Sequence, residues 1–159
     1  MYSNPEICAK CGGKCCKRLP GFFYPQQLGE TDEEVQIKLT EMLKTGRYSI
    51  DRWEGDPCDH EWDDPNQVPY VFMIRPMGLG KEIFDDPFCE ETICLFLGPK
   101  GCELAESDRP MNCQLLEPRS DENCIEHHQM GRHGKHEAAM LWRPYRDIFD
   151  AAINESRVW

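Results

Sequence analysis

Four cysteines near the start of the printed sequence combine a residue type and a spacing that suit metal binding. They lie within nine positions, as Cys8, Cys11, Cys15 and Cys16. The C-x-x-C spacing of the first two lets both thiolates reach one metal from a tight turn, and Gly12 and Gly13 permit the backbone angles that such a loop needs. Because adjacent side chains diverge, the vicinal pair predicts a ligand to a second metal, a bridging thiolate or a reactive thiol at one of its positions.

A second group of cysteines, Cys94, Cys102 and Cys113, follows much later in the chain. The residues from Gly98 to Gly101 predict a turn that brings Cys94 and Cys102 together across a hairpin, with Cys113 returning from the next segment. Such a hairpin resembles half of a zinc ribbon. These three thiols are therefore candidates for the same metal chemistry as the first group.

Arg109 precedes Cys113 and admits two interpretations. Its guanidinium can donate hydrogen bonds to thiolates and so offset their accumulated negative charge. It can equally form a surface salt bridge with Glu106 or Asp108. The sequence alone favours neither.

The two groups together resemble a known family. The segments that carry the resemblance read Cys-x2-Cys-x-Gly-x-Cys-Cys, Cys94-x-Phe96-Leu97, Gly101-Cys102-x-Leu104 and Arg109-Pro110-x2-Cys113. They are similar to the YkgJ-type CxxCxxCC cysteine-cluster family, whose members are described as zinc- or iron-chelating proteins. The same domain occurs in bacterial flagellin lysine-N-methylases, where an iron–sulfur cluster is implicated.

The resemblance spans Cys8 to Cys113 and implies the ligands of the metal. The implied ligands are Cys8, Cys11, Cys15, Cys16, Cys94, Cys102 and Cys113. The family often continues with Arg and a Phe-Pro-Cys-like tail, whereas residues 114–118 here read Gln-Leu-Leu-Glu-Pro. One further family ligand therefore has no counterpart at that place.

Cys124 and His127 rank next as candidate ligands, because their C-x-x-H spacing suits zinc and could replace the missing downstream cysteine. The remaining cysteines and histidines are not expected to bind metal. Cys58 and Cys89 are interpreted as incidental thiols, and His133 and His136 as part of a solvated helix start.

Seven motif thiols exceed one tetrahedral site, so the sequence predicts either two centres or one centre with additional reactive cysteines. An iron–sulfur cluster or iron is the preferred cofactor because of the family resemblance, and zinc is the alternative. The enzyme hypothesis is an iron–sulfur-dependent oxidoreductase or a methyltransferase-like protein. Its competitors are a structural zinc-binding interaction module without catalytic activity and a secreted disulfide scaffold.

The composition and the first residues of the chain indicate which kinds of partner and which cellular compartment to expect. The chain has 159 residues, 10 cysteines and a formal net charge of −11, which disfavours nucleic acid and anionic membranes as partners. The expected partner is therefore an unknown protein or small molecule. The first residues lack a basic region and an apolar run, so we expect a cytoplasmic protein in which thiols stay reduced.

These residues must be positioned by a small α+β domain, irregular and metal-stabilised, with a few short strands. We predict one domain over residues 1–159, with a motif core at 8–113 and a C-terminal helical extension at about 134–154. The 19–29 stretch predicts a loop. Thr31 and Glu34 predict a capping box for the helix that follows the first cluster.

The helix after Thr31 is predicted to bury one apolar face and to end at Gly46. The residues of that face are Val35, Leu39, Met42 and Leu43. Strands are predicted at 48–53, 68–74 and 93–97, with an exposed acidic loop over 54–67. Pro144 is predicted to kink or split the C-terminal helix, whose core residues are Trp142, Tyr145, Phe149 and Ile153.

Overall fold

The structure is a computed structural model that describes residues 21–58, 65, 67–79, 82–84, 94–98, 101–114 and 132–157. Its helices are α1 (Pro25–Leu28), α2 (Asp32–Lys44), α3 (Met111–Gln114), α4 (Arg132–Trp142) and α5 (Arg146–Ser156), with 3-10 turns at Glu106–Asp108 and Arg143–Tyr145. Its strands are β1 (Tyr48–Glu54), β2 (Tyr70–Pro76), β3 (Leu97–Gly98) and β4 (Gly101–Cys102). The predicted α+β class is confirmed; its stabilisation by metal stays a prediction.

Helix α2 begins and ends where its sequence predicts. The Glu34 N–H donates to Thr31 Oγ1 at 3.2 Å, and the Glu34 carboxylate accepts the Thr31 N–H at 3.3 Å, which completes the capping box. Gly46 follows the last turn with a φ of +71°, a left-handed angle that glycine adopts without strain. All four predicted core residues of this helix are buried.

Strands β1 and β2 form an antiparallel pair in which Ile50 lies opposite Ile74. The outer edge of β2 accepts the Phe23 N–H at the Ile74 carbonyl, 3.0 Å away. On the other side, the Ile50 N–H donates to the Ile83 carbonyl, so residues 82–84 lie along the free edge of β1. Strand β2 starts two residues later than predicted and continues through Pro76.

The C-terminal region is split at Pro144, as predicted. This residue lies in the 3-10 turn between α4 and α5, because proline cannot donate the hydrogen bond that a continuous helix requires. Trp142 is fully buried, with its ring 5.3 Å from that of Phe149, and its Nε1–H donates to the Phe23 carbonyl at 2.7 Å. The helical pair therefore belongs to the main core rather than to an appendage.

Helices cover both faces of the β1–β2 pair. On one face, α4 contacts β1 through Lys135, whose Nζ lies 3.3 Å from Asp51, and through His136, whose ring lies 5.2 Å from that of Trp53. On the other face, Phe72 packs against Phe149 of α5 at 5.6 Å. None of the described helices is long and apolar enough to cross a membrane.

Three local predictions differ from the structure. The predicted loop at 19–29 contains the short helix α1 within its described part, and Phe22 to Tyr24 are buried beside β2. The predicted third strand is reduced to Leu97–Gly98, because the Leu97 N–H donates to the Cys94 carbonyl and closes a turn. His136 is half-buried rather than fully solvated, and its Nε2 lies 2.7 Å from the Pro57 carbonyl, to which it donates.

The predicted exposed loop after β1 also begins with a buried ion pair. The Arg143 guanidinium donates to both carboxylate oxygens of Asp56, at 3.0 and 2.9 Å, and the Asp56 side chain is only 2% exposed. The backbone N–H groups of Cys58 and Val68 donate to the same carboxylate. Asp56 thus ties the two ends of the β1–β2 connection to the turn that carries Pro144.

We expect this ion pair to make stability depend on pH in the acid range. Burial by itself raises the pKa of Asp56, but the hydrogen bonds from Arg143, Cys58 and Val68 outweigh burial and lower that pKa from 3.8 to about 2. Because the folded pKa lies below the unfolded one, the stabilisation is present above pH 3.8 and is lost as the pH falls through about 2. After allowance for solvent screening it amounts to about 1–2 kcal/mol.

Urea unfolding of the wild type and of Asp56→Asn between pH 2 and pH 6 measures this effect. The difference in unfolding free energy between the two proteins should shrink as the pH falls from 4 to 2. The exposed Asp150 on α5 supplies the matched control, since Asp150→Asn should leave the wild-type profile unchanged. A difference that stays constant over this range would contradict the assignment.

Candidate metal centre and the adjoining cavity

Three of the predicted metal ligands, Cys94, Cys102 and Cys113, belong to the described part of the chain. The other candidates lie outside the described residues: Cys8, Cys11, Cys15, Cys16, Cys124 and His127. Among the residues that the structure describes, no three Cys, His, Asp or Glu side chains form a group that could hold a metal ion. Cys94, Cys102 and Cys113 therefore do not make a site by themselves.

The hairpin of β3 and β4 carries Cys102 at its end. Its register pairs Leu97 with Cys102 and Gly98 with Gly101, so the predicted turn between the glycines does close a hairpin. Cys94, however, precedes the hairpin and bridges to Gly78, beside a hydrogen bond in which the Leu95 N–H donates to the Met77 carbonyl at 2.8 Å. The cross-strand neighbour of Cys102 is thus Leu97 and not Cys94.

All three cysteines carry thiols rather than disulfides. Cys94 is buried, with 5% exposure, whereas Cys102 and Cys113 are half-buried. The exposed Cys58 is also a thiol, on the turn after β1 whose backbone Asp56 holds. The motif cysteines are thus more buried than Cys58, the thiol with no predicted role.

Gln27 of α1 fixes the segment that leads to Cys113. Its Oε1 accepts the backbone N–H groups of Tyr24, at 2.9 Å, and Met111, at 2.7 Å. Its Nε2 donates to the Arg109 carbonyl at 2.8 Å. A single amide side chain thus joins α1, which begins soon after the first cysteine group in the sequence, to the start of α3.

Arg109 lies in this anchored segment and is buried, at 7% exposure. Its Nε donates to the Leu104 carbonyl at 3.1 Å. This contact adds to the two predicted interactions of the guanidinium, with a thiolate or with a neighbouring carboxylate, which both stay predictions. The guanidinium therefore helps to close the chain between β4 and α3, which positions Cys102 relative to Cys113.

Phe96 connects the hairpin to the core through two residues that follow α2. The Arg47 guanidinium lies 4.4 Å above the Phe96 ring, a cation–π contact, and the Tyr48 ring lies 5.6 Å from it. Burial raises the pKa of Tyr48 above its usual 10, and the charges of Asp108 and Cys94 add to this effect, against the opposing influence of Arg47. The phenol therefore stays protonated at neutral pH and lies within electrostatic reach of the Cys94 thiol.

A cavity of about 290 Å³ adjoins this contact. It lies between α1, α2 and the segment between β4 and α3. The residues that line it include Phe23, Met42 and Leu104, which are apolar, and Lys38, Tyr48 and Asp108, which carry charged or hydroxyl groups. No local sequence pattern predicts this cavity, because its walls come from four separate stretches of chain.

Comparison of the chain with models of protein families, with curated proteins and with solved structures gave no match. The geometry of its own residues therefore carries the functional argument.

Proposed function

We propose that the chain is a metal-binding cysteine-cluster protein that holds iron, as an iron–sulfur cluster or as iron alone, through cysteine thiolates. The observation that carries this proposal is the placement of Cys94, Cys102 and Cys113. All three lie on one segment that Gln27, Arg109 and Phe96 fasten to the core. Fastening a segment that has little regular structure is what a ligand-bearing loop requires.

The donor chemistry of these residues fits the proposed group. Thiolates are the soft ligands that iron–sulfur clusters and zinc prefer. Since the described residues contain no complete group of ligands, the set must be completed from residues outside them. The proposed additional ligands are Cys8, Cys11, Cys15 and Cys16, followed by Cys124 and His127.

The role of this chain's own residues follows from the contacts above. Gln27 and Arg109 hold the backbone of the segment between Cys102 and Cys113, and the Arg47 charge lies over the Phe96 ring next to the hairpin. A bound iron–sulfur cluster would supply redox or methyl-transfer chemistry. In the cytoplasm, where we place the protein, such thiolates stay reduced. Its partner is a protein or small molecule rather than nucleic acid or membrane.

A structural zinc-binding interaction module is the second candidate. The β3–β4 hairpin supports it, because a short hairpin beside a glycine turn can present the Cys102 thiolate to a zinc ion. Zinc would supply no redox chemistry and would act by holding the hairpin in place.

Elemental analysis of protein purified without oxygen, together with its visible spectrum, tests the proposal. We expect iron with acid-labile sulfide and a broad brown absorption band. Zinc in whole-number stoichiometry without colour would replace the proposal by the second candidate. Protein without bound metal, both as purified and after reconstitution with iron, sulfide or zinc, would overturn both.

The enzyme hypothesis needs a separate measurement on the metal-loaded protein. An oxidoreductase is expected to cycle between two spectroscopic states on addition of dithionite and air, and a methyltransferase-like protein is expected to bind S-adenosylmethionine. A loaded protein that does neither would be a metal-binding protein without either activity.

A further inference from the structure

The cavity beside Tyr48 has walls of two chemical kinds. Phe23, Leu28 and Met42 provide a buried apolar wall. Lys38 of α2 and Asp108 of the 3-10 turn provide one positive and one negative charge at the exposed side of the cavity. With about 290 Å³ it is close to the lower end of the size range of small-molecule sites, roughly 300 Å³.

The two charges are available to a ligand. Within the described ranges, Lys38 and Asp108 form no salt bridge with each other or with a third residue. The Tyr48 side chain also lines the cavity, and its hydroxyl adds a hydrogen-bond donor. Gln27 also lines the cavity; its Oε1 accepts from Tyr24 and Met111, and one N–H of its Nε2 donates to the Arg109 carbonyl. The Gln27 side chain therefore fixes the shape of this part of the cavity.

We propose that this cavity binds a free amino acid with an apolar side chain, in its zwitterionic form. The carboxylate of such a molecule would accept hydrogen bonds from the Lys38 ammonium and the Tyr48 hydroxyl, and its ammonium would donate to the Asp108 carboxylate. Its aliphatic part would lie against Phe23, Leu28 and Met42. A ligand with a single charge would form a charge-assisted hydrogen bond with only one of these two side chains.

This inference does not depend on the proposed metal, because every residue that it uses belongs to the described core and loops. Titration calorimetry should therefore give the same result before and after treatment with a strong chelator. Loss of binding after chelation would overturn the inference while leaving metal binding in place, so the two proposals fail separately.

The probes are L-leucine and its two single-charge analogues, 4-methylpentanoate and 3-methylbutylamine. We expect saturable binding of leucine, at least roughly tenfold tighter than that of either analogue, since each analogue loses one charged hydrogen bond. Equal binding of 4-methylpentanoate would show a site for carboxylic acids and overturn the inference. Leucine without saturable binding at millimolar concentration would overturn it as well.

Two substitutions assign the charges to their partners. Lys38→Gln should weaken leucine binding roughly tenfold and leave 3-methylbutylamine, which has no carboxylate, almost unaffected. Asp108→Asn should have the converse effect: it should weaken the binding of leucine and leave the binding of 4-methylpentanoate almost unaffected. Lys44→Gln on the same helix and Asp150→Asn on α5 are the matched controls, because both residues are exposed and neither lines the cavity. If the control variants weaken leucine binding as much as Lys38→Gln and Asp108→Asn do, the assignment is wrong. Thermal melts of all four variants show whether each of them is folded.

Discussion

Replacing Cys102 with serine is expected to release the proposed metal and to lower the free energy of unfolding by roughly 3 kcal/mol or more. A serine hydroxyl is a poor ligand for a soft metal, and metal bound only to the folded state contributes its binding free energy to stability. Cys102 is half-buried at the end of the β3–β4 hairpin, so serine fits there without a packing defect. Metal content by mass spectrometry and urea unfolding of the same sample measure the two effects together.

Cys58→Ser is the control for this prediction, since Cys58 is an exposed thiol away from the hairpin. It should retain the metal and change the unfolding free energy by about 0.5 kcal/mol or less. Cys11→Ser extends the test to the first cysteine group and should behave like Cys102→Ser. If Cys58→Ser loses the metal while Cys102→Ser keeps it, the ligand assignment is wrong.

Asp51→Ala is expected to destabilise the fold by about 3–5 kcal/mol, independently of any metal. Asp51 is a buried carboxylate on β1 with three interactions. Its oxygens lie 3.4 Å from Arg75 Nε and 3.3 Å from Lys135 Nζ, and one of them accepts the Arg52 N–H at 2.6 Å. Removing it leaves the fully buried Arg75 guanidinium and the largely buried Lys135 ammonium without the negative charge between them.

Urea unfolding of the wild type and of Asp51→Ala at pH 7 measures this loss of stability. The slope of the unfolding free energy against urea concentration should be the same for both proteins. Asp150→Asn on the exposed side of α5 should change stability by about 0.5 kcal/mol or less. A loss below about 1 kcal/mol for Asp51→Ala would contradict the prediction, because it is the size expected of a solvent-exposed ion pair.

The elements that were predicted correctly are those whose signal is local. The capping box at Thr31 and the 3.6-residue spacing of Val35, Leu39 and Met42 define α2 within one stretch of sequence. The end of β2 could not be placed in the same way. A strand predicted from apolar alternation stops before Arg75, whereas the real strand continues because Asp51 of the neighbouring strand pairs with that charge in the interior.

The features of the candidate site also fall into those with a local sequence signal and those without one. Cysteine type and spacing could be recognised from the sequence, because C-x-x-C and a glycine turn are local patterns. The residues that hold the cysteine segment in place could not be recognised from the sequence. Gln27 reaches the Arg109 carbonyl across 82 residues and the Met111 N–H across 84, and Arg47 reaches Phe96 from the end of a helix. No sequence pattern links residues so far apart, and the cavity lined by Lys38 and Asp108 was missed for the same reason.

The amide of Gln27 has a consequence for the order of assembly. The main apolar cluster beside it forms without Cys94, Cys102 or Cys113, so packing alone can close the long chain segment between α1 and α3. The entropic cost of closing this loop is then offset by packing during folding, and an arriving metal meets Cys102 and Cys113 on a segment that the core already holds. Unlike a zinc finger, which folds only as it binds, this chain is expected to fold first and to be loaded, emptied and reloaded afterwards.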